Sequence, residues 1–334
     1  MTEFSEPING IYAEQQHENH FKRVVVLYNP KSTRVKQFDY AIGELISSGV
    51  CPNFKIIETD PDSQVNIVTL VETLKEGDAL VVWGGDGTGN DAANALLDEE
   101  IIDLKIPLLY LWGGNGIDKA RQTNGHLSRL APSEALRYGN IEPINPLLFS
   151  YGEERRIATA YGGLGTIAEL TKRLNDKEYR SKPFHEFAAV RLLREARVLQ
   201  KYYPDLEEFV IEDDEGEHIL HELIFTNGSR IAKFGRFMLR LNEPRFFKTA
   251  LEKKEKFVKG HPKIDHVHVA TWLARLMTAT SKGEYVESDD GYEFVTRTFT
   301  KIHFDGEYDE LPAGTKVRVA QDSRVIYVIS TILG

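Results

Sequence analysis

"LVVWGGDGTGNDAANAL", Leu80 to Leu96, runs from an apolar stretch through Gly84, Gly85, Gly87 and Gly89 into a helix-like pattern, with Asp86 set among the glycines. Glycines directly after a strand let the backbone turn and bring amide N–H groups close to a ligand, and a helix starting near Asn90 adds its positive end. That arrangement suits phosphate. It is not the dinucleotide fingerprint, because Asn90 stands where the third glycine would be, and no Gly-x-x-x-x-Gly-Lys run occurs. A carboxylate facing phosphates repels them unless a cation lies between, so Asp86 implies a magnesium-bridged polyphosphate or a proton to be taken. An isolated Gly-Asp-Gly reads as a plain turn. Position favours phosphate here, since the loop closes a strand and a second glycine loop, "LWGGNG" (Leu111 to Gly116), follows one strand later.

Outward from this stretch, Val24 to Leu27, Phe54 to Ile57, Ala79 to Trp83 and Ile106 to Leu111 are short apolar runs. Between them lie helical spacings: Phe38, Ile42, Leu45 and Ile46; Val68, Val71 and Leu74; and Ala92 to Leu97. Strands that alternate with helices and are almost continuously apolar predict a Rossmann-like parallel α/β nucleotide-binding domain, here over residues 21–143. Ligands of such sheets sit at the carboxyl ends of the strands. In this sequence those ends carry "YNPKS" (Tyr28 to Ser32), "ETD" (Glu58 to Asp60) and the two glycine loops. Lys31 therefore stands beside the expected phosphates, although a surface lysine explains it equally.

After Pro143 the pattern changes. Runs at Arg156 to Ala160, Phe209 to Glu212, Ile219 to Thr226, Phe294 to Phe304 and Thr315 to Val319, separated by Gly and Asp turns, predict an antiparallel β-sandwich-like domain over residues 144–321. One helix, His185 to Tyr203, interrupts it. The apolar run Val325 to Ile332 is expected to return to the first domain, completing it with residues 322–334.

Composition bounds the function. The 334 residues carry a net charge of -10, which disfavours nucleic acid as a partner. Cys51 is the single cysteine, so neither an intrachain disulfide nor a thiolate zinc site is available, and a reducing cytoplasmic setting fits. The polar, acidic first twenty residues lack the pattern of a signal peptide, and no apolar run approaches the ~20 residues that span a bilayer. Membrane contact is then peripheral, at the inner surface. Residues 230–263 offer a place for it: Arg230, Lys233, Arg236, Arg240, Arg245, Lys248, Lys253, Lys254, Lys256, Lys259 and Lys263 stand against Glu243, Glu252 and Glu255. Phe234, Phe237, Met238, Phe246, Phe247 and Phe257 interleave with them, as suits an anionic lipid surface. The same pattern also describes a basic surface whose aromatics face the core.

Asn29-Pro30-Lys31-Ser32, Thr59 at the end of the second strand, "GGDGTGND" (Gly84 to Asp91) and "FDGE" (Phe304 to Glu307) stand in an order that resembles the diacylglycerol kinase catalytic-domain family. That family includes bacterial soluble lipid kinases and the sphingosine and ceramide kinases, with NAD kinases as distant relatives. The resemblance runs from about Val24 to the C-terminus. It implies a lipid kinase that takes ATP and Mg2+ in the α/β domain and a lipid alcohol in the cleft toward the antiparallel domain. It further implies that Asn29, Lys31, Thr59, Gly84, Gly85, Asp86, Gly87, Thr88, Gly89, Asn90, Gly114 and Asn115 hold the nucleotide, with Asp86 at the metal. Glu307 matches the proton acceptor and Asp305 its neighbour, which makes Asp86, Asp305 and Glu307 the catalytic candidates. By pattern alone Asp305-Gly306 is as readily a hairpin turn.

The chain departs from the family in two places. Asn115 replaces a threonine that touches ATP and Ile117 replaces an asparagine, while the expected Asp-Asp-Gly-Leu magnesium motif is replaced by "LRLNEPRFF" (Leu239 to Phe247). Two other readings therefore stand beside the lipid kinase: a kinase of a soluble metabolite, and a catalytically silent nucleotide or lipid sensor. The sequence leaves open which alcohol is the acceptor, which triphosphate is used and whether the protein is a homodimer.

Overall fold

The computed structural model describes residues 18–32, 35–112, 132–165, 168, 208–227, 230–231, 235–236, 246–252, 284–285, 291–305 and 307–330. The first sheet is built from β1 (Arg23–Tyr28), β2 (Phe54–Glu58), β3 (Asp78–Gly84), β4 (Pro107–Trp112), β5 (Asn140–Ile144) and the last strand of the chain, β19 (Ile326–Ser330). Its order is β2-β1-β3-β4-β19-β5. All pairings are parallel except β19 with β5.

Alternation along each strand explains why these runs are nearly all apolar, since both faces are covered. Val24, Val26, Val81, Trp83, Leu109 and Leu111 pack toward α1 (Val35–Ser47) and α4 (Pro132–Tyr138). Val25, Leu27, Leu80, Val82 and Leu108 pack toward α2 (Ser63–Thr73) and α3 (Asp86–Leu96). Each such side chain, fully buried, contributes about 1.5–3 kcal/mol of transfer free energy.

The helix after the glycine loop begins four residues before Asn90, where the sequence placed its start. Asp86 is already its first residue and Gly85 its N-cap, so most of "GGDGTGND" is helix. Glycine disfavours helix, but here close packing decides. A Cβ on Gly89 would lie 2.9 Å from Cε1 of Tyr110, and one on Gly84 would lie 2.4 Å from Oγ1 of Thr88. None of Gly84, Gly85, Gly87 and Gly89 has a positive φ. These two glycines therefore serve the close approach of neighbours rather than a left-handed turn.

The second sheet has eleven strands and is antiparallel, curled around its own core. Its path is β17 (Glu307–Leu311), β16 (Thr300–Phe304), β8 (Tyr161–Gly165), β10 (Gly216–Asn227), β9 (Phe209–Asp213), β15 (Tyr292–Thr296), β18 (Lys316–Gln321), β6 (Leu147–Tyr151) and β7 (Glu154–Ala158). Two further strands, β13 (Phe246–Glu252) and β14 (Glu284–Tyr285), branch from β10, and a separate ribbon is made by β11 (Arg230–Ile231) and β12 (Gly235–Arg236). The curl brings β7 back against β16. Phe149, Phe209, Phe225, Phe294 and Phe304 fill the interior, with Phe149 edge-on to Phe304 at 4.9 Å between centroids.

The run Phe294 to Phe304, read above as one strand, is two. β15 pairs with β9 and β18, whereas β16 pairs with β8 and β17, so the chain changes partners at residues 297–299. The expected helix His185 to Tyr203 lies outside the described residues.

The two sheets are joined where the chain crosses between them twice. Asn145 Nδ2 donates to the carbonyl of Asp322 at 2.9 Å, and the Asp322 amide donates to the carbonyl of Pro146 at 2.8 Å. Arg324, fixed by Asp322, donates from Nη1 to the carbonyl of Leu97 at 3.1 Å, which satisfies a carbonyl at the end of α3.

Candidate active site

The carboxyl ends of β1, β2 and β3 open onto a cleft of about 230 Å3. Asn29 and Lys31 reach it from the end of β1, Thr59 and Asp60 from the end of β2, and Gly87, Thr88 and Asp91 from α3. Glu307, the first residue of β17, enters from the second sheet. The cleft thus lies where an α/β sheet binds ligands and where the two sheets meet.

Local geometry positions each wall. The Asn29 amide donates to the carbonyl of Trp83 at 2.9 Å, and Asn29 Oδ1 accepts from the Lys31 amide at 2.9 Å, a side-chain turn that fixes the loop after β1. Asn29 Nδ2 donates to Thr88 Oγ1 at 3.4 Å. The Thr59 amide extends the ladder by donating to Tyr28 at 2.9 Å. No side chain caps α3 among the described residues, so its first turn offers amides at the positive end of the helix, with Asp86 as the acid of that turn.

Facing these is a network that the sequence reading did not single out. Asp91 is 6% exposed; its Oδ1 accepts from Ser63 Oγ and its Oδ2 from Asn66 Nδ2 at 2.8 Å. Burial pushes its carboxyl up from the ordinary aspartate range, against the pull of those two donors. Glu307 is shifted the same way: burial first, then the neighbouring Asp91 and Asp305, opposed by Arg156. A carboxylate whose proton affinity is raised in a cleft is suited to accept a proton.

Asp305 and Glu307 leave one turn in different directions. Asp305 is 1% exposed and has φ 44°, the left-handed region. Its carboxylate accepts from the amide and hydroxyl of Thr159, from the Ala160 amide at 3.1 Å and from the Tyr161 amide at 3.0 Å. All of these partners belong to the corner between β7 and β8, so Asp305 ties the β16–β17 turn to the sheet edge that curls back on it. Burial raises its carboxyl also, while the hydrogen bonds pull it down. Two residues earlier, His303 is fully buried, edge-on to Tyr161, and burial pulls its imidazole down to about 3. Neither ring nitrogen has a partner among the described residues.

Of the residues expected to hold nucleotide, Asn29, Lys31, Thr59, Gly87 and Thr88 line the cleft. Gly84, Gly85, Asp86, Gly89 and Asn90 do not line it but belong to the end of β3 and the start of α3, the helix that carries Gly87 and Thr88. Gly114 and Asn115 lie outside the described residues. Among the described residues no group of three His, Cys, Asp or Glu gathers as a metal centre. A magnesium ion needs fewer, since it keeps waters and binds through one or two carboxylates plus phosphate oxygens, and the acid at the start of α3 fits that donor set. Ser63 and Asn66 are cleft residues that sequence reasoning missed, and Asp60 and Asp91 stood inside the quoted stretches without being given a role. The available signal was Ser63 and Asn66 three apart at the start of a helix that follows a strand end.

Residues 23–148 match the family model of the diacylglycerol kinase catalytic domain. No curated protein sequence is significantly similar to the chain. Solved structures from Bacillus anthracis str. Sterne share its fold. One, provisionally named a diacylglycerol kinase, has 14% identity and a TM-score of 0.62, covering 93% of this chain and 97% of that one. Another, also provisionally named so, has 16% identity and a TM-score of 0.60, covering 94% and 99%. A third, named a diacylglycerol kinase, has 14% identity and a TM-score of 0.56, covering 93% and 97%.

Proposed function

With residues 23–148 belonging to the diacylglycerol kinase catalytic-domain family, we propose that the protein is a kinase that transfers the γ-phosphoryl group of ATP to the hydroxyl of a diacylglycerol-like lipid. The observation that carries this reading is that Glu307 of the second sheet and Gly87 and Thr88 of α3 line one cleft. Phosphoryl transfer asks mainly for positioning and charge stabilisation, and for a group to take the hydroxyl proton.

In this reading the triphosphate lies toward Lys31 and the first turn of α3, whose amides and positive end favour it. Asp86, the acid of the first turn of α3, together with the phosphate oxygens would hold magnesium, which would supply charge neutralisation. The lipid oxygen forms its bond to the γ-phosphorus as the bond from that phosphorus to the β-bridging oxygen breaks. Glu307 takes the hydroxyl proton and ADP leaves. Asp305 holds the turn that presents Glu307, which makes it a positioning residue.

Two features support a peripheral encounter with the lipid. No helix among the described residues is long and apolar enough to cross a membrane, and residues 230–263 are strongly basic. Most of that segment lies outside the described residues. Lys248, on β13, sits over the ring of Tyr292 at 4.1 Å, so docking falls to its other cations. Reversing the charges of Lys253, Lys254 and Lys256 tests this: binding to anionic vesicles must fall.

The deciding experiment is transfer of radiolabelled γ-phosphate from ATP to an extracted lipid mixture, with identification of the product. A phosphorylated glycerolipid supports the proposal. Labelling of a water-soluble product alone, or no turnover with any acceptor, overturns it.

A further inference from the structure

Asn66 is 4% exposed, and its amide is used on both sides. Oδ1 accepts from the Asp60 amide at 2.7 Å, while Nδ2 donates to the Asp60 carbonyl at 3.0 Å and to Asp91 Oδ2 at 2.8 Å. One side chain thus ties the loop after β2 to α3. That loop carries Thr59 into the cleft, and α3 carries Gly87 and Thr88.

Asp91 completes the tie through Ser63 Oγ, from the first residue of α2. Its carboxylate is held by neutral donors rather than by a cation. For stability alone this is a poor choice, because apolar packing in the same place avoids the cost of desolvating a carboxylate. What a buried amide–carboxylate pair supplies that apolar side chains do not is a fixed distance and orientation between two backbone segments.

We propose that Asn66 is a positioning residue for nucleotide binding, setting the separation of the two cleft walls through Asp60 and Asp91. The inference rests on the kinase reading. It assigns Asn66 no contact with the reacting atoms. Its effect therefore falls on the affinity for nucleotide, and in Asn66→Leu, which keeps the Asp91 charge beside Glu307, not on the chemical step.

The test uses the full chain, with ATP and magnesium as the probe, and measures Kd by calorimetry together with KM and kcat. Asn66→Leu is expected to raise Kd and KM about thirtyfold while kcat changes less than about threefold. Asn66→Asp keeps the acceptor for the Asp60 amide but sets a carboxylate against Asp91, and is expected to be as weak. Asn66→Asp with Asp91→Asn restores one donor facing one acceptor, and is expected to recover at least about tenfold of the loss. Should the Asn66 variants fail to fold, Ser63→Ala, which removes only one partner of Asp91, is expected to raise KM about threefold. Native-like Kd in Asn66→Asp, no recovery in the double variant, an equal loss in kcat in Asn66→Leu, or an unchanged KM in a Ser63→Ala chain overturns the proposal. A native chain that binds no nucleotide overturns the kinase reading along with it. Tight binding by the native chain and its variants alike sinks only the role of Asn66.

Discussion

The two ends of the first sheet treat their carboxylates in opposite ways. At the amino ends of the strands, Asp78 is 3% exposed and is neutralised by Arg23, whose Nη2 lies 2.5 Å away. Asp78 also accepts from the Lys75 amide at 2.8 Å, and Arg23 reaches the carbonyl of Thr73 at 2.7 Å. At the carboxyl ends, Asp91 is held by a hydroxyl and an amide, and Glu307 faces it with its proton affinity raised. An acid paired with a cation at the end away from the cleft serves stability. Acids whose proton affinity stays raised in a cleft, Glu307 even with Arg156 acting on it, are held for a ligand or a proton.

Substitution at the two ends can sharpen that contrast or break it. The largest effect is expected from Glu307→Gln, with kcat reduced about a thousandfold and the Kd for ATP within about threefold of native. Because its carboxyl is raised from the ordinary 4.5, the acid limb of the native rate profile is expected above that value. Native turnover in Glu307→Gln would show that the cleft end needs no base.

Next comes Asp305→Ala, the exception that belongs to the cleft end by position and to the other end by behaviour. It strands the donors of Thr159, Ala160 and Tyr161 and is expected to cost about 3 kcal/mol in denaturant unfolding. Asp78→Ala, which leaves Arg23 and the Lys75 amide without their acceptor, is expected to cost about 2 kcal/mol with KM for ATP unchanged. A changed KM there would break the division of labour between the two ends.

The last effect comes from His303, whose ring nitrogens have no hydrogen-bond partner among the described residues. Its imidazole titrates at about 3 in the fold against an ordinary 6.5, so the unfolded chain gains a proton first as pH falls. Stability is full above pH 6.5 and is progressively lost below it, by about 2 kcal/mol near pH 5. His303→Leu is expected to flatten that part of the stability curve, followed by thermal unfolding at each pH.

Much of this was legible in the sequence, for identifiable reasons. Strands such as Val24 to Leu27 and Ala79 to Trp83 are buried on both faces, so they read as unbroken apolar runs between helices. The glycine loop and "YNPKS" end those strands and mark the cleft. The second sheet was less legible. β8, "YGGLG", is a central strand whose glycines remove the usual β signal, and β17, "EYDEL", is mostly polar because it ends the sheet. The early start of α3 was hidden by Gly87 and Gly89, of which Gly89 is required by packing against Tyr110. The tie from Asn66 to Asp91 spans 25 residues of sequence and depends on α2 lying against α3, which no local pattern announces.

The place of β19 has a consequence for how the protein comes to be made. Ile326–Ser330 is inserted between β4 and β5, so the stretch 23–148 encodes five strands of a six-stranded layer with a slot beside its edge strand β5. Produced by itself, that stretch would leave the edge of β4 unpaired and β5 without a neighbour, an invitation to aggregation. On the ribosome, the sheet cannot close until about 180 further residues have emerged, which makes assembly of the cleft a late, long-range event rather than a local one.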